Sequence, residues 1–369
     1  FGNGLKNQFK EFFLDDATNT ITLFAGKTSL PYQGFKSNRR IEFDNSDLAD
    51  IKENFPFFLE YITPRISRSA SVKYKNEFDN YSTRGVGPAH QFAEKTIMMK
   101  GRYINEKDIE NKTKYAVIGR LVAQDLFNQG DALGQFIEIG NSVFKVIGIF
   151  QDDGGDREER YIYIPYTTRQ LLEKSNDKVD QIVLAFKPQL GHSGSLVFER
   201  KLREFLKKKK SIAPKDPNGI FFRNRADILK QNQQFANVLQ LIVTFVGLGT
   251  LIAGIIGISN IMVFVVKERT KELGIRKALG ATPKSVIQMI LQESVFITTI
   301  SGYVGLFIGI FVLKSIGVSL QDYFIKDPYI DTTTALFATI ILILFGGIAG
   351  YIPAKRAARI KPIVALRDE

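Results

Sequence analysis

The feature that most constrains this chain is a long apolar segment without charge. No Asp, Glu, Lys or Arg occurs between Lys230 and Lys267, and most residues there are Leu, Ile, Val, Phe, Gly or Ala. A helix of about 20 apolar residues crosses the roughly 30 Å hydrocarbon core of a bilayer. We therefore predict a membrane span at 238–266, and two further apolar segments predict spans at 286–313 and 335–352.

The composition of the whole chain hides a division into two parts. With 44% hydrophobic residues, the 369-residue chain looks like an ordinary soluble protein. Residues 1–230 are polar and charged, however, whereas residues 231–369 hold the three apolar segments. We predict a large extracytoplasmic α+β domain at 1–230 and an α-helical transmembrane bundle at 231–369. Within the bundle we predict a cytoplasmic helix at 267–279 and a cytoplasmic tail at 353–369.

The amino-terminal part alternates between strand and helix patterns. The predicted strands are 20–25, 115–118, 136–139, 143–150, 161–164, 181–186 and 219–222, and the predicted helices are 46–54, 121–128, 167–174 and 193–209. This mixture predicts a two-lobed α+β domain. Segments 85–90 and 152–156 are predicted as loops, and the isolated histidines His90 and His192 as solvated side chains.

Basic residues cluster beside the apolar segments. The formal net charge is +12, and segment 267–284 holds six basic residues against two acidic ones. Segment 355–369 holds five against two. Because basic loops beside spans mark the cytoplasmic side, the excess charge indicates contact with a lipid bilayer and not with nucleic acid. The slightly acidic loop 314–333 and the amino-terminal domain are then outside.

Two further expectations concern the amino-terminal domain. Lys207 to Lys210 lie near the end of a helical pattern, and we predict that they form a solvated face. The sequence begins at Phe1 without Met or a signal peptide. Since an outside domain of this size must be carried across the membrane, we expect a further span ahead of residue 1.

Small residues recur every four positions in the predicted spans, a spacing that lets helix backbones approach closely. The residues predicted to pack helices in this way are Gly249, Ala253, Gly257, Ser301, Gly305, Gly309, Gly346 and Gly350. Glu293 is a carboxylate inside the second predicted span. An ionisable residue there is a functional candidate. Its place about two turns from the cytoplasmic end favours a helix contact or an interfacial role over a proton relay.

Segment 267–279 has the signals of a separate short helix. Gly280 suits a helix end, and Thr282 followed by Pro283 suits the start of the next helix. Leu273, Ile275 and Leu279 are then available for burial, while the charged residues face water or a partner. On these residues alone, a basic loop that only orients the spans is an equal alternative.

Several motifs together resemble those of one family. Residues 267–282 (KERTKELGIRKALGAT), 292–294, 302–309 and 353–362 (PAKRAARIKP) resemble the membrane domain of MacB/FtsX-family ABC-transporter permeases. Residues 100–104, 116–119 and 144–149 are similar to that family's MacB-like periplasmic core domain. The resemblance implies a dimeric permease of a type VII ABC transporter in the bacterial inner membrane. The family also has a span ahead of its periplasmic domain.

The resemblance implies that the cytoplasmic helix transmits motion from a partner ATPase to the periplasmic domain. The residues expected to couple to the ATPase are Glu268, Arg269, Glu272, Leu273, Gly274, Ile275, Arg276, Lys277 and Leu279. No G-x-x-x-x-G-K-[ST] motif occurs in the chain, so ATP and Mg are expected on a separate ABC ATPase subunit. Other expected partners are a second permease copy, identical or closely related, a periplasmic adaptor and an outer-membrane exit duct.

The residues of the chain predict no enzyme active site. There is no Cys, no arrangement of Ser, His and Asp stands out, and segment 152–156 lacks the spacing of a calcium loop. We therefore predict no catalytic, cofactor-binding or metal-binding residue. Efflux of a periplasmic substrate is the leading hypothesis. Lipoprotein release, regulation of cell-wall hydrolases and an ATPase-independent envelope receptor or scaffold are the alternatives, while an ion-coupled transporter would need more spans and paired intramembrane charges.

Overall fold

The computed structural model describes residues 17–128, 130–152, 155–174, 177–320 and 332–359. They divide into two compact units, one ending at Gln233 and the other beginning at Gln234. Three sets of predictions lie outside the described residues. These are the span expected before residue 1, the acidic part of the loop at 321–331, and the tail beyond Arg359.

The amino-terminal unit is built on strands. They are β1 (Thr20–Ala25), β2 (Phe43–Asp44), β3 (Leu59–Tyr74), β4 (Glu77–Val86), β5 (Ile97–Gly101), β6 (Tyr115–Gly119), β7 (Phe136–Ile139), β8 (Ser142–Gln151), β9 (Tyr161–Pro165), β10 (Lys178–Val179), β11 (Gln181–Phe186) and β12 (Ile220–Asn224). Each of the seven predicted strands is present, with ends shifted by at most two residues.

Ten strands form one sheet with the order β12-β1-β11-β3-β4-β9-β6-β8-β5, and β7 pairs with both β3 and β8. Neighbouring strands are antiparallel except for β4 with β9 and β6 with β8, which are parallel. The short strands β2 and β10 pair separately. The unit is therefore α/β, with one continuous sheet as its frame.

A long hairpin at the centre of the sheet was missed by the sequence patterns. β3 is 16 residues long, pairs with β11 through Arg65 and with β4 from Arg65 onward, and reaches β7 at Val72. Polar residues such as Ser67, Arg68 and Ser69 interrupt any apolar alternation along it. Segment 85–90, predicted as a loop, instead includes the end of β4 and the first residue of a helix.

Six helices cover the sheet in the described part of this unit. They are α1 (Asn45–Asn54), α2 (His90–Ala93), α3 (Glu106–Glu110), α4 (Arg120–Phe127), α5 (Tyr166–Glu173) and α6 (Gly191–Lys209). One apolar core lies between β1, β11 and α6 and includes Ile21, Leu23, Ile182, Phe198 and Leu202. A second core includes Ile118, Leu126, Ile137 and Phe144 beside α4.

The lysines at the end of α6 are tied to the start of α1. Asp47 completes a capping box with Asp44, and its carboxylate lies 2.8 Å from Lys209 Nζ and 2.7 Å from Lys210 Nζ. Lys207 is 8% exposed. The prediction of a solvated lysine face is therefore wrong for these three residues, because carboxylates distant in sequence pair with Lys209 and Lys210 and the Pro214 carbonyl accepts a hydrogen bond from Lys207.

His90 is at the centre of a buried polar cluster. Its ring is fully buried, and Nδ1 lies 3.1 Å from the Tyr103 hydroxyl. Four residues later, Glu94 forms ion pairs with Arg65 and Arg84. The prediction of a solvated His90 is wrong, because α2 starts there and places the ring inside the unit. His192 is only partly exposed, and its Nε2 lies 2.9 Å from Asp227 Oδ1.

Burial and charge shift the acid–base equilibria of this cluster. Burial lowers the pKa of His90 well below its ordinary range. Burial would raise the pKa of Glu94, but the charges of Arg65 and Arg84 outweigh it and lower that pKa to about 2. The folded unit therefore holds His90 neutral and Glu94 ionised.

The carboxy-terminal unit is helical. Its helices are α7 (Arg225–Glu268), α8 (Thr270–Ala278), α9 (Pro283–Leu320) and α10 (Thr332–Ala358), of which α7 begins before Gln234. Three segments are long and apolar enough to cross a membrane, namely Arg225–Glu268, Pro283–Val312 and Thr339–Ala358. They contain most of each predicted span. Helix α10 continues through Pro353 to Ala358, so the segment predicted as a cytoplasmic tail at 353–369 begins as helix.

We predict that the amino-terminal unit loses stability as the pH falls below about 6.5, the ordinary pKa of histidine. Below that pH the unfolded chain binds a proton at His90 and the folded chain does not. Because a falling pH stabilises the state that binds more protons, the free energy of unfolding decreases. Below about pH 4 the depressed pKa of Glu94 adds to the loss in the same way. Thermal unfolding of the solubilised chain, followed by near-ultraviolet circular dichroism of tyrosine, measures this slope.

His90→Gln should flatten the dependence between pH 5 and 7, because the variant lacks the buried imidazole that the folded chain keeps neutral. An equally steep slope in the His90 variant would contradict the assignment.

Candidate coupling site

The helix ends converge on one apolar cluster at the end of the bundle that carries the basic segment 267–284. We call this end the basic end of the bundle. α7 contributes Met262 and Val266, α9 contributes Val286 and Ile290, and α10 contributes Ala354 and Ala357. Leu273 of the short helix α8 is 3% exposed in their midst. Truncating a buried leucine typically costs about 2–5 kcal/mol. Leu273 thus packs α8 into a cluster that contains residues of all three long helices.

The boundaries of α8 follow from local sequence. Arg269 is its N-cap residue, so Glu268 is the last residue of α7 and only one residue separates the two helices. Gly280, with φ of 100°, adopts the left-handed conformation that follows a helix end. Thr282 Oγ1 then accepts a hydrogen bond of 3.2 Å from Ser285 N, which caps α9 as its sequence predicts.

Glu293 pairs with the helix junction. Its Oε1 lies 3.1 Å from Arg269 Nη1, and the two side chains are 30% and 54% exposed. The pair borders a small cavity of about 120 Å³ lined also by Leu273 and Ile290. This geometry is a contact between helices, which is the role that the position of Glu293 favours. The ion pair thereby links Arg269, at the junction between α7 and α8, to Glu293 on α9, which lies 24 positions later in the sequence.

Lys277 and Arg276 attach the other half of α8. Lys277 Nζ donates a 2.8 Å hydrogen bond to the carbonyl of Ala358, the last residue of α10. The terminal carbonyls of a helix have no partner within the helix, so a lysine there satisfies one of them. Arg276 pairs with Glu272 at 2.8 Å and contacts Met289 Sδ at 3.1 Å.

The opposite face of α8 contains exposed residues. Lys271, Ile275 and Leu279 are exposed, with Ile275 at 46% and Leu279 at 84%. They follow one another at four-residue intervals and so share a face, which we call the outer face. Of the three apolar residues that the sequence makes available for burial, Leu273 alone lies in the cluster, and Ile275 and Leu279 remain exposed. Gly274 is buried beside Leu273.

Two of the predicted packing glycines lie where helices touch. A Cβ built on Gly350 would lie 2.5 Å from Ser294 Cβ, and one on Gly346 would lie 2.8 Å from Thr298 Cβ. Ser294 Oγ donates a 2.9 Å hydrogen bond to the Gly346 carbonyl. Only glycine allows α10 to approach α9 this closely.

The other small residues lie on open surfaces of this chain. A Cβ at Gly249, Gly257, Gly305 or Gly309 would meet no atom outside its own helix, and Ala253 and Ser301 are exposed. Their predicted helix packing is not made among the described residues. The described residues also contain no group of three His, Asp or Glu side chains that could hold a metal ion.

We predict that Gly350→Ala destabilises the bundle, because the new Cβ would overlap Ser294. Overpacking of this kind typically costs about 1–3 kcal/mol. Gly347→Ala is the matched control, since a Cβ there meets nothing within 4 Å. Thermal unfolding in detergent should show a lower midpoint for Gly350→Ala alone. Equal midpoints in the two variants would refute close packing at Gly350.

Comparison with known proteins identifies the family. A family model described as the MacB-like periplasmic core domain matches residues 1–190, and a model described as the FtsX-like permease C-terminal matches residues 244–362. The second match contains the whole coupling site.

Curated relatives match over the full chain. The macrolide export ATP-binding/permease protein MacB of Wolinella succinogenes is 30% identical over 373 residues, which span 100% of this chain and 55% of that protein. Its namesake from Mannheimia succiniciproducens is 27% identical over 376 residues, which span 100% of this chain and 55% of the relative. The chain thus spans about half the length of the curated relatives it matches.

A solved structure, the periplasmic region of MacB from Actinobacillus actinomycetemcomitans, has 22% sequence identity and a TM-score of 0.49, over 60% of this chain and 95% of that one. The periplasmic-core model by itself covers just over half of the 369 residues. The chain therefore belongs to the family of MacB-like permeases, membrane proteins with an FtsX-like transmembrane domain and a periplasmic domain.

Proposed function

We propose that this chain is the permease subunit of a type VII ABC transporter and transmits ATP-driven motion to its periplasmic domain. The observation that carries the proposal is the division of α8 into two faces. Leu273 fixes the inner face to the bundle, while the outer face exposes Ile275 and Leu279 beside charged residues. Exposed apolar side chains bordered by charge are typical of a protein-binding surface.

The partner on the outer face would be a separate cytoplasmic ABC ATPase. Permeases of this family work with ATPases, and the names of the relatives include ATP binding. ATP and Mg would bind to the ATPase, while the chain itself would bind no cofactor. Glu268, Lys271 and Glu272 provide charges of both signs around the apolar residues.

Motion would pass from α8 to each long helix by a different contact. The one-residue junction at Arg269 leads into α7. The pair between Arg269 and Glu293, with the packing of Leu273, leads into α9. The hydrogen bond of Lys277 leads into the end of α10. Because α8 is held at three points, it would move as a lever with the bundle and would not swing freely.

The transported substrate and the remaining partners follow from the relatives by analogy. The relatives are named macrolide exporters, so we propose export of a substrate from the periplasmic side of the bacterial inner membrane. A second permease copy, identical or closely related, would complete the unit. Its packing surface would include the open positions Gly249 and Gly257 on α7. A periplasmic adaptor and an outer-membrane exit duct would complete the export route.

We predict that Ile275→Asp combined with Leu279→Asp abolishes ATPase binding, because two desolvated apolar contacts would be replaced by carboxylates. The tagged full chain is purified from its native membranes, and any ABC ATPase is quantified by mass spectrometry. Lys284→Glu is the control, since Lys284 is exposed at the same end of the bundle but lies outside α8. If no ATPase accompanies the intact chain, the ATPase-independent receptor becomes the better hypothesis.

We predict that Glu293→Gln separates binding from transmission. The substitution removes the charge partner of Arg269 and leaves the outer face unchanged. The ATPase should co-purify at the level of the unsubstituted chain, but the ATP-dependent change in hydrogen exchange of the periplasmic sheet should shrink. Gln292→Ala, at the exposed neighbouring position, should change neither quantity. A loss of ATPase recovery in Glu293→Gln would instead make Glu293 part of the binding surface.

A further inference from the structure

A cavity of about 480 Å³ opens on the amino-terminal unit between α6 and two loops. One loop contributes Tyr32 and the other contributes Ile212 and Pro214. Cavities that bind small molecules typically measure about 300–1,000 Å³ and combine apolar walls with a few polar groups. The size therefore suits one small ligand.

The helix side of the cavity is basic. Arg200, Arg203, Lys207 and Lys208 line it, and Glu204 is the one acidic lining residue. Arg200, Arg203 and Lys207 follow one another at intervals of three and four positions, and Lys208 lies four positions after Glu204, so these side chains share one side of α6. Arg203 is already engaged, since it pairs with Glu199 at 2.7 Å and lies 4.1 Å from the centroid of the Phe222 ring.

The other three cations lack a carboxylate partner. Among the ion pairs of the described residues, none includes Arg200, Lys207 or Lys208. Lys207 is the most telling, because it is 8% exposed and its Nζ donates a 2.7 Å hydrogen bond to the Pro214 carbonyl. Burial lowers the pKa of Lys207 and the nearby charge of Arg203 lowers it further, while the charge of Asp216 raises it. The charge of Lys207 is thus incompletely balanced, since the lowering effects prevail, and an added anion would stabilise it.

The loops that form the other walls are fixed by polar anchors. The buried carboxylate of Asp216 accepts hydrogen bonds from Ser29 N at 2.7 Å and from Leu30 N at 2.9 Å, which holds the Tyr32 loop against the Pro214 loop. Arg39 Nη2 donates to the Lys210 and Ser211 carbonyls at 2.6 and 2.9 Å. The cavity is thus preorganised, which reduces the entropy lost on binding.

We propose that this cavity binds an amphipathic anion with a phosphate-type head group. The head group would be held by Arg200, Lys207 and Lys208, and the apolar part would lie against Tyr32 and Ile212. Charge-assisted hydrogen bonds from arginine and lysine are the usual means of holding a phosphate. Glu204 at the rim disfavours a polyanion and favours a single charged group. The chemistry fits both a membrane phospholipid and a free organic phosphate.

The test uses the full chain in nanodiscs of neutral phosphatidylcholine and isothermal titration with hexyl phosphate, inorganic phosphate and hexanol. Saturable binding of hexyl phosphate is expected, tighter than that of inorganic phosphate, with none for hexanol. Arg200→Gln combined with Lys208→Gln should weaken it about tenfold or more, since charge-assisted hydrogen bonds are lost. Both residues are exposed, so the variant should fold. Lys201→Gln, on the same helix outside the cavity, should bind normally.

A second arm distinguishes the sources of the ligand. The chain is placed in phosphatidylglycerol nanodiscs and examined by native mass spectrometry. If the ligand is a phospholipid, the unsubstituted chain should retain a bound lipid and the double variant should not. If hexyl phosphate binds but no lipid is retained, the ligand is a free anion, and the proposal stands. Equal hexyl phosphate binding in the double variant, or inorganic phosphate binding as tightly as hexyl phosphate, would overturn it.

Discussion

The burial of Leu273 is the interaction on which the basic end of the bundle depends. α8 has nine residues, and a helix so short has little stability of its own in water. Its position therefore comes from packing, and Leu273 is the α8 side chain that lies in the apolar cluster shared by the three long helices. The pair between Arg269 and Glu293 and the hydrogen bond of Lys277 then set the direction of α8. Apolar burial supplies stability here, and polar contacts supply orientation.

The same division of labour operates in the amino-terminal unit. Its cores are aliphatic and aromatic, whereas single carboxylates fix segments that are far apart in sequence. Asp47 joins the start of α1 to the end of α6, and Asp216 joins two loops. Glu94 joins β3, β4 and α2 through Arg65, Arg84 and His90. Each carboxylate is largely buried, so its removal should cost more than the loss of a surface ion pair. Loss of Asp47 or Glu94 would leave cations without partners, and loss of Asp216 would leave backbone N–H groups without an acceptor.

Local patterns predicted what depends on local sequence. The long apolar segments predicted the three spans, and short segments rich in β-branched or aromatic residues predicted strands such as β11. The hairpin of β3 and β4 could not be predicted, because its polar residues conceal the alternation and its partners come from three other strands. The burial of His90 and the partner of Glu293 also depend on residues brought together by the fold. Which of Leu273, Ile275 and Leu279 is buried depends on where the long helices lie.

The continuity of the sheet has a mechanical consequence. The sequence favoured two lobes, but β3 pairs with β11 beside one core and with β4 and β7 beside the other. Backbone hydrogen bonds are stiff against stretching and yield mainly to twist, which β-sheets already possess. A force applied to one end of this sheet should therefore change the twist of the whole sheet. The two cores would then move relative to each other through that change in twist, and no hinge is needed between them.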